Sequence, residues 1–527
     1  MNLGRLLFFI SEWWMEISDL KKVTFIKKIV LYLLLLFCYT ATAQEWQWSV
    51  RLKGFISSET GKEPTAFLWI PSDCYQLRAV MVGKHNMSEE TLFEMPRFRE
   101  ALSRMGIGLV WITPGIDQQW DVTKGTQKIF NQMMNDLAEI SGYSELEHIP
   151  IVPVGHSAMA TYPWNFAAWN PERTNGIPTL FSEIRLYNQQ FAQPHQNVHV
   201  LYHTKRKYNF QDTSSETLKQ DSPVPPTIHI LLQSSIPEYR LSGHSSLNEP
   251  VSLKKLNPKE GWLAERWHPE QKNRAKAASF HDYKGDKHDA FWYFDKEMAE
   301  LTEARYVKYK DKQMQYLGFM QRGQLVKYAA GQHAGIIAGF YPEADGLTFH
   351  VKGVYTDSLR SLPVKEHANG KIEITRICGP VAKVNDTTFT VRFYRMGMDN
   401  PRRTGDIWLL AANEGDGKYK SAVQQLNIRI PYRNTEGKRQ YILFPGIEDV
   451  REGVKSVSLE AVSDCGLPVY YYVKEGPVEL QGNKLVFTKI PSRSKFPIKV
   501  TVVAWQYGIA GQVQTADPVE RSFLIKK

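Results

Sequence analysis

The feature that most constrains this chain is a series of apolar strands that alternate with helices between residues 46 and 157. Strands are predicted at 46–52, 65–70, 78–83, 107–113 and 149–154. The last two are almost wholly apolar, which is typical of strands covered on both faces. Strands separated by helices at this spacing predict a mostly parallel, doubly wound sheet with helices on both sides.

Two helices are predicted between these strands from apolar residues at helical spacing. Phe98, Leu102 and Met105 share one face of the first helix. A second apolar stripe over residues 129–140 stops at Gly142, a residue type that commonly ends helices.

The fifth predicted strand leads directly into the sequence GHSAM at 155–159. In α/β-hydrolases the nucleophile lies on a sharp strand-to-helix turn, written G-x-S-x-G, where small neighbours leave room for the turn. Met159 replaces the second glycine, although Ala158 keeps the region small. The position of this motif predicts Ser157 as a nucleophile, and the alternative is a helix-capping serine in an inactive relative.

Acyl transfer also needs N–H donors that stabilise the oxyanion. We expect the first from Ala158 and the second from the loop at 83–87, which follows the third strand. His85 and Asn86 of this loop are also candidate substrate contacts, and Met87 completes the loop. The alternative is a loop without a function.

Residues 177–242 break the alternating pattern. This span of 66 residues contains no glycine and no tryptophan, so it lacks the tight turns that a doubly wound sheet needs. Strands at 198–202 and 227–232 are the only regular elements expected within it. An irregular or disordered loop region is one interpretation, and a local reading-frame error in the gene is the other; both stay open.

The general base and its acid partner should follow the later strands, which fall in or near this span. The candidate acids are Asp212 and Asp221, and the candidate bases are His203, His229 and His244. His244 is preferred, because a glycine precedes it and ordered sequence follows. Without such a base a serine hydroxyl is a weak nucleophile.

Neither a metal ion nor a cofactor is predicted. His281-Asp282 and His288-Asp289 are explained by solvent exposure and helix capping. The cysteines are scattered and follow no zinc or disulfide spacing.

The apolar pattern changes to period two from about Gln332 onward. Alternating apolar residues occur at 389–393, 426–430, 457–461 and 498–502, and turn signals separate these runs. Short strands at this spacing predict β-sandwich domains. We expect one at 306–440 and a second, Ig-like one at 441–527. A helix marked by Phe291, Phe294, Met298 and Leu301 is expected to end the hydrolase-like domain, 44–305.

The N-terminus has the features of an export signal. Lysines precede an apolar run at 29–38, and Ala41-Thr42-Ala43 is a cleavage pattern. The run is about half of the ~20 residues needed to span a bilayer, so 1–43 is expected to be a signal peptide that contacts the membrane only during export. The mature protein is therefore expected to be periplasmic or secreted, where nucleic acid is an implausible partner.

The net charge favours acidic partners. Residues 1–43 carry five basic and three acidic residues, so their removal changes the formal net charge from +10 to +8. A mildly basic exported protein attracts polyanions such as acidic polysaccharides.

Several stretches resemble a family of exported α/β-hydrolases from polysaccharide-degrading bacteria, which includes pectin methylesterases. The matching stretches are VGKHNM at 82–87, VPVGHSA at 152–158, YPWNFAAWNPERT at 162–174, DAFWYFDKEMAELTEA at 289–304, RRTGDIWLLA at 402–411 and GLPVYYYVKEGP at 466–477. The last also resembles bacterial Ig-like modules. The resemblance covers most of 44–175 and 238–527.

The resemblance implies that Ser157 is the nucleophile and that the loop at 84–87 helps to form the oxyanion hole. Such relatives carry a glycine-rich turn with the catalytic histidine shortly before the segment that matches 238–250, and this chain lacks that turn. The leading hypothesis is a serine carboxylic-ester hydrolase that acts on decorated plant polysaccharide, for example on pectin methyl esters. The alternative is a catalytically inactive glycan-binding protein on a degenerate hydrolase scaffold.

Overall fold

A computed structural model describes residues 46–87, 89–117, 120–156, 159, 161–174, 177–180, 200–201, 247–250, 253, 257–265, 275–287, 290–308 and 311–527. The first described strands form one mixed sheet in the order β1-β2-β4-β3-β5-β6-β7. They are β1 Trp48–Arg51, β2 Thr65–Trp69, β3 Ala79–Lys84, β4 Ile107–Thr113, β5 Ile151–His156, β6 Ile177–Leu180 and β7 Val200–Leu201. β2 is antiparallel to both of its neighbours. The other five strands of the sheet after β1 are mutually parallel; in sheet order they are β4, β3, β5, β6 and β7.

Helices cover both faces of this sheet. In chain order they are α1 Glu89–Glu94, α2 Pro96–Met105, α3 Thr126–Ser141 and α4 Thr161–Trp169. α1 and α2 pack on the face that carries Met81 and Trp111. α3 and α4 pack on the opposite face, which carries Val80 and Val110. The predicted doubly wound sheet of α/β-hydrolase type is therefore confirmed, and alternate residues of each central strand enter different cores.

Most predicted boundaries lie within about two residues of the observed ones. The fifth strand is shifted from 149–154 to β5, because Gly155 and His156 continue the sheet by pairing with β6. Of the two strands expected in the glycine-free span, 198–202 contains β7, whereas 227–232 lies outside the described residues.

A small antiparallel sheet follows, with β8 Trp262–Glu265 between β9 Ala278–Ser279 and β10 Ala290–Tyr293. The helix α5, Lys296–Lys308, comes next. The prediction that Phe291 starts this helix was wrong, because Phe291 pairs with Ala264 in the sheet. The helix begins later, after Asp295, whose carboxylate accepts the N–H of Met298 at 2.9 Å.

All remaining regular elements in 311–527 are strands. Those of the first sandwich are β11 Tyr316–Gln321, β12 Gln324–Leu325, β13 Ile337–Ala338, β14 Thr348–His350, β15 Lys352–Thr356, β16 Glu373–Cys378, β17 Val381–Lys383, β18 Thr388–Val391, β19 Asp406–Asn413 and β20 Ala422–Arg429. They form the sheets β12-β11-β15, β13-β20-β19-β16 and β14-β18-β17, which pack around one apolar core.

The second sandwich has its own core. Its strands are β21 Ile442–Leu443, β22 Val450–Arg451, β23 Ser456–Ser458, β24 Val462–Ser463, β25 Tyr470–Glu475, β26 Val478–Gln481, β27 Lys484–Phe487, β28 Ile498–Trp505 and β29 Val519–Lys526. Its main sheets are β22-β29-β28-β25 and β23-β27-β26. The C-terminal β-sandwich class is thus confirmed, while the domain limits at 305 and 440 stay predictions.

The two sandwiches share apolar contacts. Val503 and Trp505 of β28 belong to the core of the first sandwich, and the Trp505 ring meets Phe393 edge-on with 4.8 Å between centroids. Among the described residues no helix is long and apolar enough to cross a membrane.

Candidate active site

The candidate site lies where β3, β4 and β5 end. These three parallel strands are neighbours, so the loops that follow them meet at one edge of the sheet. The loop after β4 shows this convergence. A Cβ added at Gly115 would lie 3.2 Å from the His85 carbonyl oxygen and 3.0 Å from the Met159 Cε atom. The loop after β4 therefore lies against both of the other segments.

The chain turns sharply at the end of β5. A Cβ at Gly155 would lie 2.1 Å from the carbonyl oxygen of Met159, so only glycine fits there. The chain therefore returns over the end of the strand within four residues, as a nucleophile elbow requires.

The candidate nucleophile and the candidate bases and acids lie outside the described part of the chain. Ser157 and Ala158 are among the residues that are not described. The candidate bases His203, His229 and His244 and the candidate acids Asp212 and Asp221 are not described either. Their roles stay predictions.

His85 lies on the inner side of the loop after β3. The residue is 4% exposed, its Nδ1 is 2.8 Å from the Thr113 hydroxyl, and its ring centroid is 5.3 Å from that of Trp111. Burial, and then the positive charges of Arg403 and Arg376, lower the pKa of His85 to about 3. The imidazole is therefore neutral at ordinary pH and is directed into the protein.

The backbone of the same loop is hydrogen-bonded at His85, Asn86 and Met87. The His85 N–H donates to the Ile112 carbonyl oxygen at 2.8 Å. The Asn86 carbonyl oxygen accepts from Arg403 at 2.8 Å. The Met87 N–H donates to Glu89 Oε2 at 3.1 Å. These bonds hold the loop in one conformation beside the elbow.

Lys84 is a residue of the site that the sequence analysis did not single out. Its side chain is fully buried, donates to the Asp117 carbonyl oxygen, and places Nζ 4.1 Å from the centre of the Tyr162 ring. Burial lowers the pKa of Lys84 to about 7, although Asp117 and Glu89 oppose this shift. A lysine ending the apolar run AVMVGK was the available signal, because such residues are seldom fully buried without partners.

The first sandwich also contributes to the site, and this contribution is not apparent from the sequence. Arg403 reaches the loop from a segment more than 300 positions later in the chain, and Glu59 accepts from the same guanidinium at 3.2 Å. No local pattern connects residues so far apart. RRTGDIWLLA contains Arg403, but the motif alone does not show where the side chain is directed.

The His-Asp pairs that the sequence analysis weighed as metal ligands have other surroundings where they are described. The Asp282 carboxylate accepts from the Ser279 hydroxyl at 2.5 Å, in a local turn. His288 and Asp289 lie outside the described residues. Within the described ranges no three His, Cys, Asp or Glu side chains are grouped as metal ligands.

Comparisons with known proteins give slight structural likenesses. FphF, a fluorophosphonate-binding serine hydrolase of Staphylococcus aureus, is 11% identical over 25% of this chain and 54% of its own, with a TM-score of 0.18. An S-formylglutathione hydrolase from Agrobacterium tumefaciens is 14% identical over 25% and 56%, with a TM-score of 0.17. Human protocadherin-24 repeats EC1-2 are 14% identical over 36% and 94%, with a TM-score of 0.14.

These likenesses assign no activity. The matched part of the chain spans about half the length of the two hydrolases. No protein-family model matches the chain, and no curated protein matches it.

Proposed function

We propose that this chain is an exported serine carboxylic-ester hydrolase that acts on decorated plant polysaccharide, for example on methyl-esterified pectin. The observation that carries the proposal is the turn at Gly155, where the return of the chain leaves no room for a Cβ. Such a turn at the end of a central parallel strand presents the following residues at the edge where the other loops meet. Ser157 follows this glycine by two positions.

The proposed reaction is acyl transfer in two steps. The Ser157 hydroxyl oxygen bonds to the ester carbonyl carbon while its proton passes to a histidine, and the oxyanion accepts from backbone N–H groups of Ala158 and of the 84–87 loop. The alcohol leaves with that proton. Water then hydrolyses the acyl-enzyme and releases the carboxylate. His244 is the proposed base.

Ester turnover by purified mature chain tests the proposal. We expect hydrolysis of methyl-esterified pectin fragments and of a small chromogenic ester, and Ser157→Ala should reduce both rates to the spontaneous background. Ser103→Ala is the matched control, because Ser103 is an exposed serine near the end of α2, on the side of the sheet where β4 begins. Equal rates for wild type and Ser157→Ala would refute the proposal.

The base is tested separately. His244→Gln should abolish turnover, whereas His203→Gln and His229→Gln should retain it. Loss of turnover in one of the latter two, with His244→Gln active, would move the role to that histidine. An organophosphonate that bonds to activated serines should label wild type but not Ser157→Ala, whatever the natural ester is.

A second candidate function is favoured by the hydrogen bonding of the 84–87 loop. The N–H groups of His85 and Met87 donate to Ile112 and Glu89, which are acceptors of the protein itself. Under this alternative the chain is an inactive glycan-binding protein on a hydrolase scaffold. Binding of acidic oligosaccharides with equal affinity by wild type and Ser157→Ala, with neither ester turnover nor organophosphonate labelling, would support it.

A further inference from the structure

The loop at 84–87 is held from outside the α/β sheet by Arg403 of the first sandwich. The Arg403 Nη1 group donates to the Asn86 carbonyl oxygen at 2.8 Å, and Nη2 donates to Glu59 Oε1 at 3.2 Å. The side chains of Arg403 and Glu59 are 23% and 18% exposed. Hydrogen bonds from a guanidinium that is largely shielded from water are among the stronger ones in proteins.

The arginine is itself held in place before it meets the loop. Asn400 Oδ1 accepts the backbone N–H groups of Arg402 and Arg403 at 3.1 and 3.2 Å. Asn400 Nδ2 donates to Glu59 Oε2 at 3.2 Å. Glu59 therefore binds both the turn and the guanidinium, so the direction of the Arg403 side chain is largely fixed.

The Asn86 carbonyl and the Met87 N–H belong to one peptide group. In a planar trans peptide these two groups point in opposite directions, so a contact that fixes the carbonyl also fixes the N–H. We propose that Arg403 is a positioning residue that fixes the orientation of the Asn86–Met87 peptide. The N–H of this peptide donates to Glu89 Oε2 at 3.1 Å in this structure, and in the catalytic part of the inference an ester oxyanion replaces Glu89 as its acceptor. The catalytic part of this inference rests on the proposed function.

The neighbouring helix is fixed to the same sandwich. Glu90 Oε2 and Oε1 lie 3.1 and 3.3 Å from guanidinium nitrogens of Arg376 and Arg395. The Thr91 hydroxyl donates to the Ile377 carbonyl oxygen at 2.6 Å. The loop and α1 are therefore both bonded to the first sandwich in the absence of substrate. The effect of Arg403 on the Met87 N–H can for this reason be measured without ester turnover.

Hydrogen exchange of the loop amides tests the positioning role directly. We expect Arg403→Gln to speed exchange of the Met87 amide by about tenfold or more, because its peptide loses the fixed carbonyl contact that aims the N–H at Glu89. Arg429→Gln is the matched control: it removes the same charge from a side chain of the same sandwich that is 76% exposed, and it should leave loop exchange unchanged. If Arg403→Gln does not fold, Glu59→Gln should give the same change to a smaller degree.

Kinetics test the catalytic part. Arg403→Gln should lower kcat about tenfold to a hundredfold while KM changes by less than about twofold, because a misdirected oxyanion donor weakens the transition state rather than substrate binding. Arg403→Lys should recover part of kcat.

The two proposals can fail separately. A folded Arg403→Gln variant with wild-type loop exchange would overturn the inference, whatever its activity. Faster exchange with unchanged kcat would overturn the catalytic part. A wild-type chain without ester turnover would overturn the proposed function and the catalytic part, while loop exchange would still decide the positioning role.

Discussion

Replacing His85 by glutamine should remove a large part of the acid sensitivity of this fold. The imidazole lies against Trp111, its Nδ1 is bonded to the Thr113 hydroxyl, and burial with two nearby arginines lowers its pKa from 6.5 to about 3. The folded protein therefore resists protonation of a group that the unfolded chain protonates readily. Glutamine fits the same hydrogen bond and has no charge to acquire.

The size and sign of the effect follow from proton linkage. The folded-state pKa is lowered, so the stabilising contribution is fully present above pH 6.5 and is lost as pH falls towards 3. With about 1.36 kcal/mol for each pKa unit, the loss in the free energy of unfolding is about 2 kcal/mol between pH 7 and pH 5, and about 4 kcal/mol by pH 3.

Urea unfolding of wild type and His85→Gln at pH 7, 6 and 5 measures this contribution. The contributions of carboxylates that titrate in both proteins cancel when the two free energies of unfolding are subtracted. From pH 7 to pH 5 the free energy of unfolding of His85→Gln should rise by about 2 kcal/mol relative to that of wild type. His333→Gln, at an exposed histidine beside Trp408, should follow the wild type. A constant difference between wild type and His85→Gln across these pH values would refute the assigned environment of the ring.

Three further changes test buried contacts near the site. The pKa of Lys84 is lowered to about 7, so between pH 7 and pH 9 the unfolded chain binds a proton that the folded protein does not. The free energy of unfolding of wild type should therefore rise by about 2 kcal/mol from pH 7 to pH 9 in urea titrations, and that of Lys84→Met should not show this rise. Glu90→Gln removes the carboxylate nearest to the buried Arg376 and leaves it only Glu94 at 4.0 Å, so it should cost about 3 kcal/mol in urea unfolding, against about 1 kcal/mol or less for the exposed Glu100→Gln. Gly155→Ala places a methyl group 2.1 Å from a carbonyl oxygen and should lower the free energy of unfolding by at least about 2 kcal/mol in thermal melts, together with any ester turnover.

The central sheet could be predicted because its strands carry a strong local signal. Ile107–Thr113 is buried at every position, and the prediction from its apolar run has the same limits as the observed strand. The helix at 126–141 was predicted from its apolar stripe and its glycine end, where Gly142 adopts φ 84°. In each case the apolar residues that become buried lie close together in the sequence, so their spacing predicts the element.

The helix at 296–308 shows where such a signal fails. Phe291, Phe294 and Met298 have helical spacing, yet Phe291 lies in a strand. The consecutive aromatic residues Phe291, Trp292 and Tyr293 fit a strand as well as a helix. Pairing with the strand at 262–265 favours the strand. Asp295 was the better signal for the start of the helix, because its carboxylate caps the first turn.

The candidate site was predictable only in its local part. The elbow glycine and the loop after β3 follow from the order of strands and the motif GHSAM, since both occupy fixed places in such a sheet. The environment of His85 does not follow from sequence, because Thr113 and Arg403 come from other segments. For that reason a histidine expected near substrate has its ring directed into the core.

The short helix α1 explains why the α/β part depends on the first sandwich. Its sequence EETLFE is half acidic and would ordinarily be solvated, but all six of its residues are buried. Buried carboxylates are costly unless paired, and Arg376 and Arg395 of the sandwich supply the partners of Glu90 and Glu94. A chain cut at the predicted limit of 305 would lose these arginines and Arg403 together. We therefore expect the segment 44–305 alone to lose the fixed conformation of α1 and of the adjoining 84–87 loop, even if its central sheet still forms.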